Sequence, residues 1–187
     1  MNPPDESRVR ELVRAAVERE LGGAPVPAAA AAPDPAGARR VAIGADHGGY
    51  ALKEVLKRAI AEELGWQVLD CGTHSAEPVD YPDYAAAVGR AVAGGRAARG
   101  VVVDAAGIGS TMAANKIAGV RCALCHDDAT ALNAREHNDA NVLALGSRVV
   151  SRGQAVRMVR LFLATPFGAG RHERRVRKIM DLERSGR

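Results

Sequence analysis

The polar side chains able to do chemistry fall in short clusters, each just after an apolar run. Asp46-His47-Gly48-Gly49 sets a carboxylate and an imidazole beside two glycines, which let the backbone come close to a ligand. As a bare pattern it is equally a turn with a helix cap. Asp104-Ala105-Ala106-Gly107-Ile108-Gly109-Ser110 opens a helical stretch toward Asn115. Its glycines suit a turn whose N–H groups face an anion or a developing oxyanion. It completes neither a dinucleotide nor a Walker fingerprint, and a glycine turn needed only for packing would read the same. Further on come His126-Asp127-Asp128, then Arg135-Glu136-His137-Asn138-Asp139, then Arg148, and last Arg171-His172 with Arg175. Arg171 and Arg175 are four apart and share a helix face, where two guanidiniums make a phosphate clamp.

One motif is rejected. Cys122-Ala123-Leu124-Cys125-His126 satisfies the haem-attachment pattern CxxCH. The segment reads as a buried strand, and residues three apart on a strand point to opposite faces, so the two sulfurs do not converge. The same geometry defeats a zinc half-site, and there is no second pair. Both cysteines are expected to be small core residues.

These clusters need a scaffold with several strand ends close together. Strands are expected at 41–44, 67–71, 100–103, 121–124 and 142–145, with helices between them, for example over 50–64 and 84–93. Strand–helix alternation implies right-handed βαβ units and a parallel sheet, whose ligands bind beyond the C-terminal strand ends. The run VVV at 101–103 fits a strand covered on both faces. Ahead of this domain, residues 5–21 read as an amphipathic helix, with Val9, Leu12, Val13, Ala16 and Val17 on one face and Gly22-Gly23 at its end. Residues 24–39 are rich in Ala and Pro and read as a flexible linker. The expected organisation is thus helix 1–23, linker 24–39 and domain 40–187.

Composition narrows the function. Aromatics are 3% of the chain, too few for a base-stacking surface, so nucleic acid is not expected as a partner. The net charge of +4 sits in the last segment, where residues 171–187 hold seven Arg or Lys against three Asp or Glu. No apolar run approaches the roughly 20 residues that span a bilayer, so no membrane is expected. Three cysteines, an odd and low number, argue against a secreted disulfide framework, and the expected location is the cytoplasm.

Taken together, the segments GADHGGYALK (44–53), DCGTHSAEPVDYPDYA (70–85), AGIGSTMAANKIAGVRCALCHD (106–127), AREHNDANVLALGSRVV (134–150) and GRHERRV (170–176) resemble the type B ribose-5-phosphate isomerases and the related galactose-6-phosphate isomerase subunits. The resemblance covers residues 40–182 and leaves out 1–39. It implies a Rossmann-like three-layer α/β sandwich with a five-stranded parallel sheet. It also implies a homodimer, or a dimer of dimers, with active sites at the subunit interface and no metal or other cofactor. The implied reaction, in pentose phosphate metabolism, interconverts an aldose and a ketose phosphate through an enediol(ate). By position, His47, Arg148, Arg171 and Arg175 would hold the phosphate, some of them from the partner copy. His137 would assist ring opening, and Asp46 would lie near the sugar hydroxyls. Asn138 and the N–H groups of Gly107, Ile108, Gly109 and Ser110 would stabilise the enediolate oxygen. Tyr81 would line the sugar pocket.

The departure is at the base. Many members of that family have CGTGIG where this chain has Asp104 to Gly109, and their cysteine moves the proton between C1 and C2. Another branch places a glutamate at the position of Ser110. Here Asp104 replaces the cysteine and Ala106 replaces a threonine hydroxyl. A carboxylate can abstract a proton alpha to a carbonyl, which makes Asp104 the expected base; the alternative is that Asp104 caps the next turn. In that case the protein is a sugar-phosphate-binding or weakly active paralogue, or serves a different, six-carbon sugar phosphate. The N-terminal helix and linker resemble the encapsulation peptides of bacterial microcompartment cargo, which implies shell proteins as partners of residues 5–21. The alternative is a helix that packs on its own domain.

Overall fold

A computed structural model describes residues 39–185. The amphipathic helix expected at 5–21 and the linker up to residue 38 lie outside the described residues.

Five strands form one parallel sheet: β1 (Arg40–Ala45), β2 (Gln67–Asp70), β3 (Arg99–Asp104), β4 (Cys122–Leu124) and β5 (Val142–Gly146), in the order β2-β1-β3-β5-β4. Six helices connect and follow them: α1 (Tyr50–Arg58), α2 (Tyr81–Ala93), α3 (Ile108–Ala114), α4 (Asp128–Glu136), α5 (Arg152–Ala164) and α6 (Arg171–Ser185). α1 runs on into a π-helical turn at Ala59–Glu63. α2 starts three residues before the expected position. Pro82 falls in its first turn, where a missing N–H costs nothing and φ is already helical.

Alternation along the strands builds a core on each face. Val41, Ile43, Val101, Val103, Leu143 and Leu145 pack with Leu52 and Leu56 of α1 and Met158 and Phe162 of α5. Ala42, Val102, Val142 and Ala144 pack with Val88 and Ala91 of α2 and Ala114 of α3. This is the expected three-layer sandwich. Cys122 belongs to the second core and Cys125 to the first, so the two sulfurs do lie on opposite faces. Burial raises both thiols to about 12, which leaves them inert as nucleophiles or ligands. Among the described residues no helix is long and apolar enough to cross a membrane.

Candidate active site

The chain reverses direction across the sheet between β1 and β3, and the loops after them meet in the crevice where α/β sheets bind ligands. Asp46 follows β1 directly, and its Oδ1 accepts from the Gly49 N–H at 2.8 Å. A side chain at Gly49 would strike the Val103 carbonyl, so the β1 turn sits directly on β3. The β5 loop is stitched to both. Ser147 Oγ donates to the Gly48 carbonyl at 2.7 Å, its N–H to the Asp104 carbonyl at 2.8 Å, and the Arg148 N–H to the Ala105 carbonyl at 3.0 Å. His47 is exposed, with Nδ1 3.2 Å from both the N–H and the carbonyl oxygen of Val79. Two residues past Val79, Tyr81 opens α2, and its ring lies so close over Gly109 that a Cβ there would be 2.5 Å from it.

Asp104 ends β3 and is 5% exposed. Its Oδ1 accepts from the Ala106 N–H at 2.8 Å and from the Gly107 N–H, and its Oδ2 from the Ser110 N–H at 2.9 Å. Gly107 takes a left-handed conformation, φ 81°, and a Cβ there would meet Leu124. The carboxylate therefore holds the turn and the start of α3, the geometry of the capping alternative. It also engages two of the N–H groups expected to face an enediolate. Those of Ile108 and Gly109 belong to the first turn of α3, where no intrahelical acceptor exists.

Asp46, His47, Tyr81, Asp104, Gly107, Ile108, Gly109, Ser110 and Arg148 thus gather at one end of the sheet. His137, Asn138, Arg171 and Arg175 do not join them. α4 leaves β4 at Asp127, whose side chain accepts from Thr130 in a capping box, and runs back toward the opposite end. There Asn141, just after it, accepts from Arg121 and receives the Gly100 N–H, at the starts of β4 and β3. The Gly168 N–H donates to the Glu136 carbonyl, which brings the start of α6 beside the end of α4. The His137 and His172 rings stack at 4.2 Å and 6° between planes, and Arg171 Nε lies 3.3 Å from His172 Nε2. β5 separates the two groups by about 13 Å at roughly 3.3 Å per residue.

Sequence patterns assigned no role to three residues that the structure draws in. His172 is buried under His137, and burial, then the neighbouring His137, Arg171 and Arg175, lower its pKa. Asn133 Nδ2 lies 2.7 Å from His137 Nδ1. The signal for Asn133 was its position four residues before His137, one helical turn back. Ser147, which closes the β1–β5 seam, carried none.

Between these groups a groove of about 640 Å3 follows the open edge of β4, lined among others by Cys122, Leu124, Thr130, Asn138 and Ile179. Among the described residues no three His, Cys, Asp or Glu side chains converge as a metal site.

Comparison with known proteins gives the same fold. The ribose-5-phosphate isomerase B of Escherichia coli (strain K12) is 42% identical over 145 residues, covering 78% of this chain and 97% of that protein. The structure of Clostridium thermocellum ribose-5-phosphate isomerase B superposes with a TM-score of 0.77 at 44% identity, covering 79% of this chain and 99% of that one. The Mycoplasma genitalium ribose-5-phosphate isomerase B, solved with bound ribulose-5-phosphate, gives 0.74 at 36% identity, covering 78% and 96%. The model of the Ribose/Galactose Isomerase family matches residues 41–179, and the chain belongs to that family of sugar-phosphate isomerases.

Proposed function

We propose that the chain interconverts ribose 5-phosphate and ribulose 5-phosphate through an enediol(ate). The observation that carries this is the meeting of the Asp46–Gly49, Asp104–Ser110 and Ser147–Arg148 loops at the switch point between β1 and β3, with Tyr81 over the glycine turn. The names of the relatives point to the same sugar phosphates. Two copies of the chain make up each site. His47 and Arg148 of one copy, with Arg171 and Arg175 of the other, hold the phosphate by charge-assisted hydrogen bonds. His137 assists ring opening, Asp46 meets the sugar hydroxyls, and Tyr81 walls the pocket. Asn138 and the first-turn N–H groups of α3 stabilise the enediolate oxygen.

The separation of the two residue groups within one chain supports a two-fold dimer. So do the apolar side chains left in solvent near the β4 groove: Ile108 and Met112 on α3, Ile179 and Leu182 on α6. A dimer that covers this face sets the phosphate-binding end of each copy against the Arg171–Arg175 helix of the other.

Asp104 acts as the base, taking a proton from C2 of the open aldose and returning it to C1. A carboxylate offers about four lone-pair positions. Backbone N–H groups use three here, which leaves one on Oδ2. The same three bonds favour a second reading, in which Asp104 only holds the turn and the protein binds a sugar phosphate with little or no turnover. Ribose 5-phosphate turnover by the parent and by Asp104→Asn separates the two. An asparagine keeps Oδ1 as acceptor for Ala106 and Gly107 but gives up the bond from the Ser110 N–H and cannot serve as base, so the variant's melting temperature is read beside its turnover. Loss of roughly 10²–10⁴-fold in kcat is the result expected for a general base. Equal turnover by the variant removes Asp104 from the chemistry. Binding without turnover by the parent, across five- and six-carbon phosphates, establishes the second reading.

The assignment of residues 5–21 to shell binding in a microcompartment rests on the sequence pattern alone. Removing residues 1–39 is expected to leave activity intact and to abolish co-assembly with shell proteins. A truncated chain that fails to fold contradicts it.

A further inference from the structure

α4 carries a short relay of amides that ends on His137. Asn138 Nδ2 lies 3.1 Å from Asn133 Oδ1 and 3.3 Å from the Asn133 main-chain carbonyl. The main-chain oxygen can only accept, so the Asn138 amide must turn Nδ2 to Asn133, where one N–H is shared by the two oxygens and the other is left for substrate. Asn133 then uses Oδ1 to receive that N–H and has Nδ2 left for His137, 2.7 Å from Nδ1. An amide N–H aimed at Nδ1 needs a lone pair there. The neutral ring must therefore carry its proton on Nε2. The opposite tautomer would set N–H against N–H at 2.7 Å, and turning both amides over would forfeit the bonds to Asn133.

The ring plane is fixed as well as the proton. His172 is 3% exposed and stacks on His137 at 6° between planes. Arg171 Nε donates to His172 Nε2, so His172 keeps its own proton on Nδ1. Burial and the nearby His137, Arg171 and Arg175 depress the pKa of His172, in keeping with a neutral stacked pair.

We propose that Asn133 is a positioning residue that holds His137 as the Nε2–H tautomer, so that His137 meets the sugar as a hydrogen-bond donor. This rests on His137 facing the sugar, as set out under the proposed function. In this role no proton leaves His137. Nε2–H binds the ring oxygen as the C1–O bond breaks and charge gathers there, and the proton that this oxygen takes up is the one the anomeric hydroxyl releases, passed on through solvent.

The test uses the full chain labelled with 15N-histidine. Long-range 1H–15N spectra at pH 8 report which ring nitrogen holds the proton, and the His137 signals are assigned by their loss in His137→Gln. The parent is expected to show a protonated Nε2 and a bare Nδ1. Asn133→Asp, whose carboxylate only accepts, is expected to move the proton to Nδ1. Asn133→Ala, harmless to a helix, is expected to give a mixture of tautomers. Its kcat on ribose 5-phosphate should fall about tenfold, with KM changed less than about twofold, as for the loss of one hydrogen bond to a reacting group. A parent with the proton on Nδ1 overturns the proposal. So does Asn133→Asp with the proton still on Nε2, or Asn133→Ala with unchanged kcat in an active enzyme. A tautomer that switches as expected in a parent with no turnover upholds the Asn133–His137 coupling and sinks the isomerase reading instead.

Discussion

Two glycines in the crevice do different work, and replacing each by alanine separates them. At Gly49 an added methyl meets the main-chain carbonyl of Val103, in the middle of the sheet, where nothing can yield. Gly49→Ala is expected to cost more than about 2 kcal/mol in denaturant unfolding, the range of overpacked core sites. At Gly109 the atoms nearest the methyl belong to the ring of Tyr81, a flexible side chain that is 40% exposed. Gly109→Ala is expected to leave the melting temperature within a few degrees and to raise KM several-fold, since it displaces the ring proposed to wall the sugar pocket; the contrast is checked by melting and steady-state kinetics side by side. The role of Asp104 is the residue-scale question that letters leave open. Base and cap need the same side chain at the same strand end. What distinguishes them is where the backbone N–H groups of Ala106, Gly107 and Ser110 point, and that depends on the left-handed turn at Gly107.

Among the elements, β2 is tied to α1 by charge. Lys53 is fully buried and reaches Asp70 at 2.8 and 2.9 Å, and Lys57 joins at 2.6 Å. Burial by itself would raise the Asp70 carboxyl, but hydrogen bonds from Lys53, Lys57 and the Gly72 N–H outweigh it and hold the group at about 2. A carboxylate with a depressed folded pKa contributes stability that is present above the unfolded value near 4 and is lost as pH falls toward 2. The contribution is on the order of 1–2 kcal/mol after allowance for solvent screening. Acid unfolding of Asp70→Asn should therefore lose part of its pH dependence between about 4 and 2. An unchanged profile would mean that the lysines do not charge-stabilise this carboxylate in solution. Nothing in the sequence marked Lys53. It follows Leu52 in a helix whose apolar spacing was plain, and a lysine there reads as a solvated face. Its burial depends on Asp70 arriving from another strand. The helices and strands themselves were legible because Leu52, Leu56 and Ile60 keep the helical period. The run Val101–Val103 is apolar at every position, as a strand covered on both faces must be.

At the scale of the whole molecule, the candidate site residues were visible in the sequence as clusters after strands and at helix ends, but not their division between the two ends of the sheet. Clusters after β1, β3 and β5 share one end because all parallel strands finish there. Those at the end of α4 and the start of α6 fall at the other, because α4 carries the chain back. A single copy therefore keeps the two groups of candidate residues apart, and the proposed isomerase account requires a second copy to join them. The direct test mixes two variants, His47→Ala from one half and Arg175→Ala from the other, with subunits exchanged by co-expression. Each variant alone should be nearly inactive. If sites are shared, half of the randomly paired dimers are mixed and each has one intact site, so the mixture should recover about a quarter of the parent turnover of ribose 5-phosphate. A mixture no more active than its two components would show that each chain builds its site alone, and would contradict the account.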